Sequence, residues 1–392
     1  MTATETPAAR VRPPLWRDVR VIRVVLQVLA VAVVLGTIWV LGNNLRHELT
    51  KQGLPTTFDF LSRPTGVTVA DSGFDPGSPV RDVLLVGVKN TFLIAIVGIP
   101  LLTILGTLIG IARLSTNWLV AKAATVYVET IRNIPPLLII IFVFNAVILQ
   151  LPRPTNPATP MDWFVISNLK LVGPSFATSS GMGTLWLIVL LGLATAILVA
   201  VWRTRLSERT GRPHHRIVIG LGIVLAATAV GYFATGRPVR FSLPRLDGRV
   251  INGGFGGLGS YFAVLTALVV YTASHVAEIV RGSILAVPKG QTEAANAIAL
   301  SGFQRLRFVI LPQAFRIALP PIINQYLNFV KNTSLAIAIG FAEITLITFQ
   351  LIGNGNPAPQ LILILMAVYL VFSLTISVFV NIVNRRLQLV GR

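Results

Sequence analysis

The chain has 392 residues, of which 54% are apolar and only 12% charged, with a mean hydropathy of +0.75. That charge content is about half the roughly 25% usual in soluble domains, which excludes a water-soluble enzyme of this length and leaves a protein that crosses a membrane many times. The net charge is +19 without any aromatic-and-basic stripe, so basic loops on one membrane side explain it better than nucleic acid, and the lack of Cys excludes disulfides, thiolate metal sites and a Cys nucleophile.

A span needs about 20 predominantly apolar residues. In chain order such stretches lie at 21–41, 86–112, 123–150, 184–201, 217–235, 257–280, within 308–348, and at 359–381. The expectation is eight spans if the seventh segment crosses once. The first follows Arg10, Arg12, Arg17 and Arg20 with no small-residue cleavage pattern after it, so it reads as an uncleaved anchor. The second contains Gly106-x-x-x-Gly110, a spacing that permits close helix packing.

Sidedness follows from counting basic residues. With the N-terminus in the cytoplasm and the spans alternating, the cytoplasmic segments hold 19 Lys/Arg: five by residue 23, two at 113–122, five at 203–216, four at 281–307 and three at 385–392. The outer loops hold ten. Both termini are therefore expected inside. The pair His214–His215 belongs to a basic, exposed-looking stretch. Loop 236–256 opposes the trend, with Arg237, Arg240, Arg245 and Arg249 outside, and suggests a docking role.

Segment 308–348 is too long for a single crossing. Its 41 residues would make a helix of about 60 Å, twice the hydrocarbon thickness. Pro320–Pro321 removes two backbone donors, and Lys331-Asn332-Thr333-Ser334 is polar. Such breaks are tolerated where the backbone lies in protein or lines a wet cavity, so the spacing predicts an interrupted helix facing a pathway.

Between the sixth and seventh spans runs Pro288-Lys289-Gly290-Gln291-Thr292-Glu293-Ala294-Ala295-Asn296-Ala297-Ile298-Ala299-Leu300-Ser301-Gly302. A leading Pro, several Ala and a final Ser-Gly predict a short helix over 292–301 with a stop at Gly302. Its small side chains let another surface approach the backbone. A loop helix resting on the bilayer has the same composition.

Glu293-Ala294-Ala295, followed by Val309 and Leu311-Pro312, resembles the EAA loop of ABC-importer permeases. Gly290-Gln291, Leu311-Pro312-Gln313-Ala314 and Lys331-Asn332-Thr333-Ser334-Leu335 are similar to the polar amino-acid branch, the histidine, glutamine and general L-amino-acid permeases. Asn90-Thr91, Arg113-Leu114-Ser115 and Tyr127-Val128-Glu129-Thr130-Ile131-Arg132-Asn133-Ile134-Pro135 look like that family's first two core helices. One departure is Ala299, where the family usually has Gly; Ala lacks the freedom to turn, and Gly302 is expected to supply it. The resemblance covers 86–148 and 256–384.

The resemblance implies an all-α, polytopic type I ABC-importer permease fold with about eight transmembrane helices. It divides the chain into an N-terminal tail, anchor and periplasmic loop (1–85), a first core part (86–148), an insertion with two extra spans (149–255), a second core part with the coupling loop 288–312 (256–384), and a cytoplasmic tail (385–392). It places the chain in a bacterial inner (plasma) membrane. Its expected partners are a second permease chain, homologous or identical, two ABC ATPase subunits, a periplasmic or surface substrate-binding protein, an amino-acid substrate and the lipid bilayer. No phosphate-cradling G-x-x-x-x-G-K-[ST] stretch occurs, so ATP and Mg are expected on the ATPase chains, with no cofactor, metal or catalytic residue here. Thr292, Glu293, Ala294, Ala295, Ala299 and Gly302 would couple to the ATPase.

Glu129-x-x-Arg132 and Glu278-x-x-Arg281 each place opposite charges on one helix face. Intramembrane ions are costly, so both read as structural pairs that orient helices and hold an inner gate, ahead of substrate contact. Lys331, with Asn332, Thr333 and Ser334, either meets a substrate carboxylate at a broken helix or forms a polar turn at the surface. Glu343 either meets an amino group or sits in the outer interface. An ion-coupled secondary transporter, or a permease of this architecture for another small polar solute, are the competing readings. A membrane enzyme lacks any nucleophile–base set to support it.

Overall fold

The computed structural model describes residues 19–387 except 52, 54–56, 70–73, 179, 211–214 and 249. Arg10, Arg12 and Arg17, His214, Arg249 and the end of the C-terminal tail lie outside the described residues.

The chain is mainly helical. The long apolar helices are α1 (Val19–Lys51), α2 (Val80–Ala112), α5 (Met182–Thr210), α6 (Arg216–Ala234), α7 (Gly259–Leu285), α10 (Leu311–Asn332) and α12 (Ala358–Leu387). Shorter ones are α3 (Trp118–Arg132), α4 (Pro136–Phe142), α8 (Lys289–Ala297), α9 (Gly302–Arg305) and α11 (Ile344–Gly353). Among the described residues, seven helices are long and apolar enough to cross a membrane, and the bent pair 118–132 and 136–148 makes up to eight. All eight expected regions are helical.

Small residues determine the centre. On α2, a Cβ at Gly106 would stand 2.7 Å from Val276, and one at Gly110 would stand 2.6 Å from the Ala277 carbonyl. The missing side chains let α2 and α7 lie against each other along their inner halves. Gly98 faces the ring of Phe329, bringing α10 onto the middle of α2. Ile94, Leu102, Ile140, Leu268 and Phe329 form the fully buried core of this bundle. A second core, around Phe60, Val80, Ile344, Ile347, Leu351 and Leu361, closes the opposite end.

Two segments differ from expectation. Region 123–150 is not one straight span: α3 and the helix beginning at α4 meet at 104°, and α4 continues as a π-helix over Val143–Ile148. Asn117 starts α3 by accepting from the amides of Leu119 and Val120 at 3.0 and 3.3 Å. Pro135 and Pro136 end its register, because neither has an amide to donate and each disfavours helical backbone in the residue before it.

The seventh segment does not break at its prolines. Helix α10 passes through Pro320 and Pro321, whose neighbours Ala318, Leu319 and Ile322 are buried in the core. The helix tightens into a 3-10 turn over Thr333–Ile339 and stops at Gly340, with φ 69°. The interruption therefore lies at 340–343, where glycine reaches the left-handed region without strain.

Among the described residues, seven short strands that local pattern does not reveal lie in the loops beside α5 and α6. β1 (Val165–Ile166), β2 (Lys170–Gly173) and β7 (Phe255–Leu258) form one sheet, ordered β1-β2-β7. β3 (Ser175–Thr178) pairs antiparallel with β4 (Val239–Ser242), and β5 (Arg245–Asp247) with β6 (Val250–Asn252). Helices α5 and α6 stand directly on the β3–β4 pair and pack on each other, with Gly192 against Ala227.

Candidate functional site

At the end of the bundle that carries α8, four charged side chains form one network. Arg113, just past α2, bonds Glu278 through Nη1 and approaches Glu129 to 3.7 Å. Arg281 holds the same Glu278 by two bonds, Nη2 to Oε1 at 2.5 Å and Nε to Oε2 at 3.2 Å. The Glu278–Arg281 pair thus has the expected i,i+3 geometry. The Glu129–Arg132 pair does not form: Glu129 turns to Arg113, and Arg132 makes no ion pair within 4.0 Å among the described residues. An arginine closing α2 can reach two helices at once, whereas Arg132 sits exposed at the bend.

The loop after α7 forms an exposed elbow. Its first helix is α8, which ends at Ala297 rather than 301. Ala295 is buried against the chain's own surface, while Glu293, Ala294, Ala297 and Ile298 are exposed and Thr292 is half-buried. The expected turn at Gly302 is corrected: Ala299 itself takes the left-handed conformation, φ 56°. Gly302 instead opens α9, where Ser301 and Gln304 form a reciprocal capping box at 3.3 and 2.9 Å. Arg305 donates to Asn296 at 2.5 Å, holding α9 to α8, and Gln313 donates to Gln291 at 3.1 Å, fixing the elbow to the base of α10. Phe303 and Phe308 remain exposed beside it.

Near mid-bundle, Lys331 is exposed, Asn332 and Ser334 are half-buried and Thr333 is fully buried. Phe329, two residues earlier, packs on Gly98 near the middle of α2, which puts Lys331 beside the middle of that helix. Glu343 has a different place from that expected. It is fully buried and caps α11, its Oε1 accepting from the Leu346 amide and its Oε2 from the Tyr369 hydroxyl, both at 3.0 Å. Both oxygens are occupied inside the protein, so Glu343 has no face open to solute. Thr345 meets the same Tyr369 at 3.0 Å. Asn90 donates to the Ala342 carbonyl at 2.7 Å, and the Ile344 amide donates to Thr91 at 3.3 Å, so the early Asn90-Thr91 pair holds the turn that Glu343 begins.

A cavity of about 570 Å³ opens between α2, α7, α10 and α12. Its walls are apolar apart from hydroxyls such as Ser283, Thr103 and Tyr326, the last two 2.8 Å apart. Sequence reasoning missed the Arg113 side chain as the hub of the network, Tyr369 as the partner of Glu343, and His275 within α7. Only Arg113 had a signal, as a lone cation closing an apolar span.

These features define a class: a multi-span helical membrane protein whose charged network and exposed elbow share one end, with an exposed lysine further along the helix that leads to the interruption at 340–343. The chain belongs to the family of binding-protein-dependent transport system inner membrane components, which matches residues 102–389. It is 36% identical over 368 residues to the general L-amino acid transport system permease protein AapQ of Rhizobium johnstonii, covering 93% of this chain and 92% of that one. It is likewise 36% identical over 369 residues to the putative amino-acid ABC transporter permease protein YhdX of Escherichia coli, covering 93% and 94%. It is 35% identical over 428 residues to the glutamate/glutamine/aspartate/asparagine transport system permease protein BztB of Rhodobacter capsulatus, covering 100% and 99%.

Proposed function

We propose that this chain is the translocation subunit of an ATP-driven amino-acid importer, passing solute along its own helices and taking its energy from separate ATPase subunits that bind ATP and Mg. The exposed α8–α9 elbow carries the reading. It is tied to α10 by the bond from Gln313 to Gln291, yet presents Glu293, Ala294, Ile298 and Phe303 outward, as a segment seated in a groove of another protein would. Closure of two ATPase subunits would move such elbows and swing the helices attached to them, a rigid-body switch between outward- and inward-facing states. A substrate-binding protein delivers the solute at the opposite end, where the relatives' amino-acid substrates would enter. Both termini then lie in the cytoplasm.

Lys331 supports the same reading. A cation at mid-membrane depth is costly against lipid, so its exposed side chain faces a second permease subunit or the water between them. There it would hold the carboxylate that all amino acids share. Lys331→Ala should weaken solute binding by about 1.5–3 kcal/mol, roughly 10- to 150-fold, equally for all substrates. The deciding experiment is reconstitution with copurifying ATPase and binding protein. Glu293→Lys should leave the subunit inserted while uptake and substrate-stimulated ATP hydrolysis disappear. Unchanged uptake in that variant would refute the coupling role.

A further inference from the structure

We propose that Arg132, together with the α7 face that carries Tyr271 and His275, forms a second and more inward binding station for a zwitterionic amino acid, distinct from Lys331; this rests on the amino-acid reading above. Helix α7 exposes Tyr271, His275 and Glu278 in part, at spacings of four and three, while Thr272, Ala273, Ser274, Val276 and Ala277 between them are buried. Three polar side chains thus share one stripe of a membrane-crossing helix. His275 precedes Leu285 by ten residues and so lies about 15 Å from that end of α7, inside the hydrocarbon zone. A stripe of this kind meets water or another protein chain, not lipid.

Arg132 stands over this stripe. The Tyr127 hydroxyl donates to the Val270 carbonyl at 2.6 Å, which pins α3 across the middle of α7, and the chain bends 104° directly after Arg132. The side chain is exposed, and its positive charge acts on both His275 and Glu278. Glu278 is bonded by Arg113 and Arg281, and Glu129 is turned to Arg113. Arg132 therefore remains the guanidinium of this region without a carboxylate in contact, among the described residues. Its planar fork matches a carboxylate by two parallel bonds.

His275 supplies the other half of the recognition. Its Nδ1 faces the Tyr271 carbonyl at 3.2 Å, which assigns the proton to Nδ1 and leaves Nε2 as an acceptor for an ammonium group. Carboxylate on Arg132 and ammonium on His275 are the two groups common to every amino acid, so the station reads the backbone of the solute and not its side chain. It is separate from Lys331. Phe329 sits at the level of Gly98 and Val276 at that of Gly106, eight residues or about 12 Å along α2.

The test uses the complex with its ATPase and binding protein in proteoliposomes. The native chain has no Cys, so His275→Cys, and Tyr271→Cys as a second position, each create a single reporter on it. A charged thiol reagent should modify both, and saturating L-glutamine should slow the modification of Tyr271→Cys, which keeps Arg132 and His275, at least threefold; no protection there would refute the station. Silence at both positions would refute a wet face. Arg132→Gln should lower ATP-driven uptake of L-glutamate, L-glutamine and L-alanine at least tenfold and alike, with ATPase stimulation by loaded binding protein retained, and Arg132→Lys should recover part of it. Parallel loss of uptake and stimulation would make Arg132 a structural residue and overturn the proposal. If the wild-type complex takes up no amino acid at all, the importer reading fails instead, and the labelling pattern still reports whether the face is wet.

Discussion

Helices α7 and α5 have almost the same length and both are apolar, yet they live in different surroundings. In the most apolar stretch of α7, 67% of the residues are buried inside the protein; in α5 the share is 17%, and in α6 it is 6%. Helix α7 is the less apolar of the two, though both are apolar enough to span. What separates them further is what each helix meets. Helix α7 meets Gly106 and Gly110 of α2 at distances no larger residue would permit, and it carries a His, a Glu and an Arg. The inserted α5–α6 pair packs on itself and turns Leu187, Leu190, Leu198, Leu221 and Leu225 outward. A span whose face closes on the glycines of another helix works against protein; a pair that packs on itself and turns leucines outward faces lipid.

The largest test of this contrast is Gly110→Leu against Gly222→Leu. The first drives a side chain into the Ala277 carbonyl and Val280, and should destabilise the purified chain by about 3 kcal/mol, read as a fall in its thermal midpoint. The second meets nothing within 4 Å and should stay within about 0.5 kcal/mol. Equal effects would erase the distinction between the regions. Next, Tyr369→Phe leaves a buried oxygen of Glu343 and the Thr345 hydroxyl without their partner, at a cost of about 1–3 kcal/mol. Its counterpart Tyr232→Phe removes a 3.2 Å bond to Val239 at the edge of the insertion and should cost about 0.5 kcal/mol.

Gly192→Leu sharpens the comparison from within the insertion. It should push α5 from α6, costing about 1–2 kcal/mol, while cross-links between α2 and α7 form as before. A loss of those cross-links would show that the two regions fold as one. The last test belongs to the elbow, outside both. Ala299→Gly relieves a left-handed alanine and should raise thermal stability by about 0.5–1 kcal/mol, net of the greater freedom glycine has in the unfolded chain.

The spans and the elbow could be read from the sequence, because hydropathy and local motifs are properties of neighbouring residues. What escaped depends on which helices meet. Glu129 has a basic residue three positions on and still bonds Arg113, since two residues of one helix can be out-competed by an arginine from another. By sequence Glu343 either meets an amino group or sits in the outer interface, because nothing nearby in the chain announces Tyr369. Pro320 and Pro321 looked like a break, but packing of their neighbours carries the helix through, and the actual stop is Gly340, an ordinary glycine in an apolar run. The strands were missed for a related reason: segments of two to four residues hold too little pattern to register, and only pairing reveals them.

The two-stranded stem beneath the inserted helices has an evolutionary consequence. Thr178 lies opposite Val239, so the chain leaves the core and returns to it at neighbouring points. Everything between those points can lengthen, shorten or be exchanged without altering the distance the core must span. Because the excursion crosses the membrane an even number of times, its arrival or departure also leaves every later loop on its original side. Such a junction is a port at which a lineage can acquire a membrane-embedded attachment in a single genetic step, and at which an engineer can graft a fluorescent or affinity module with the same economy.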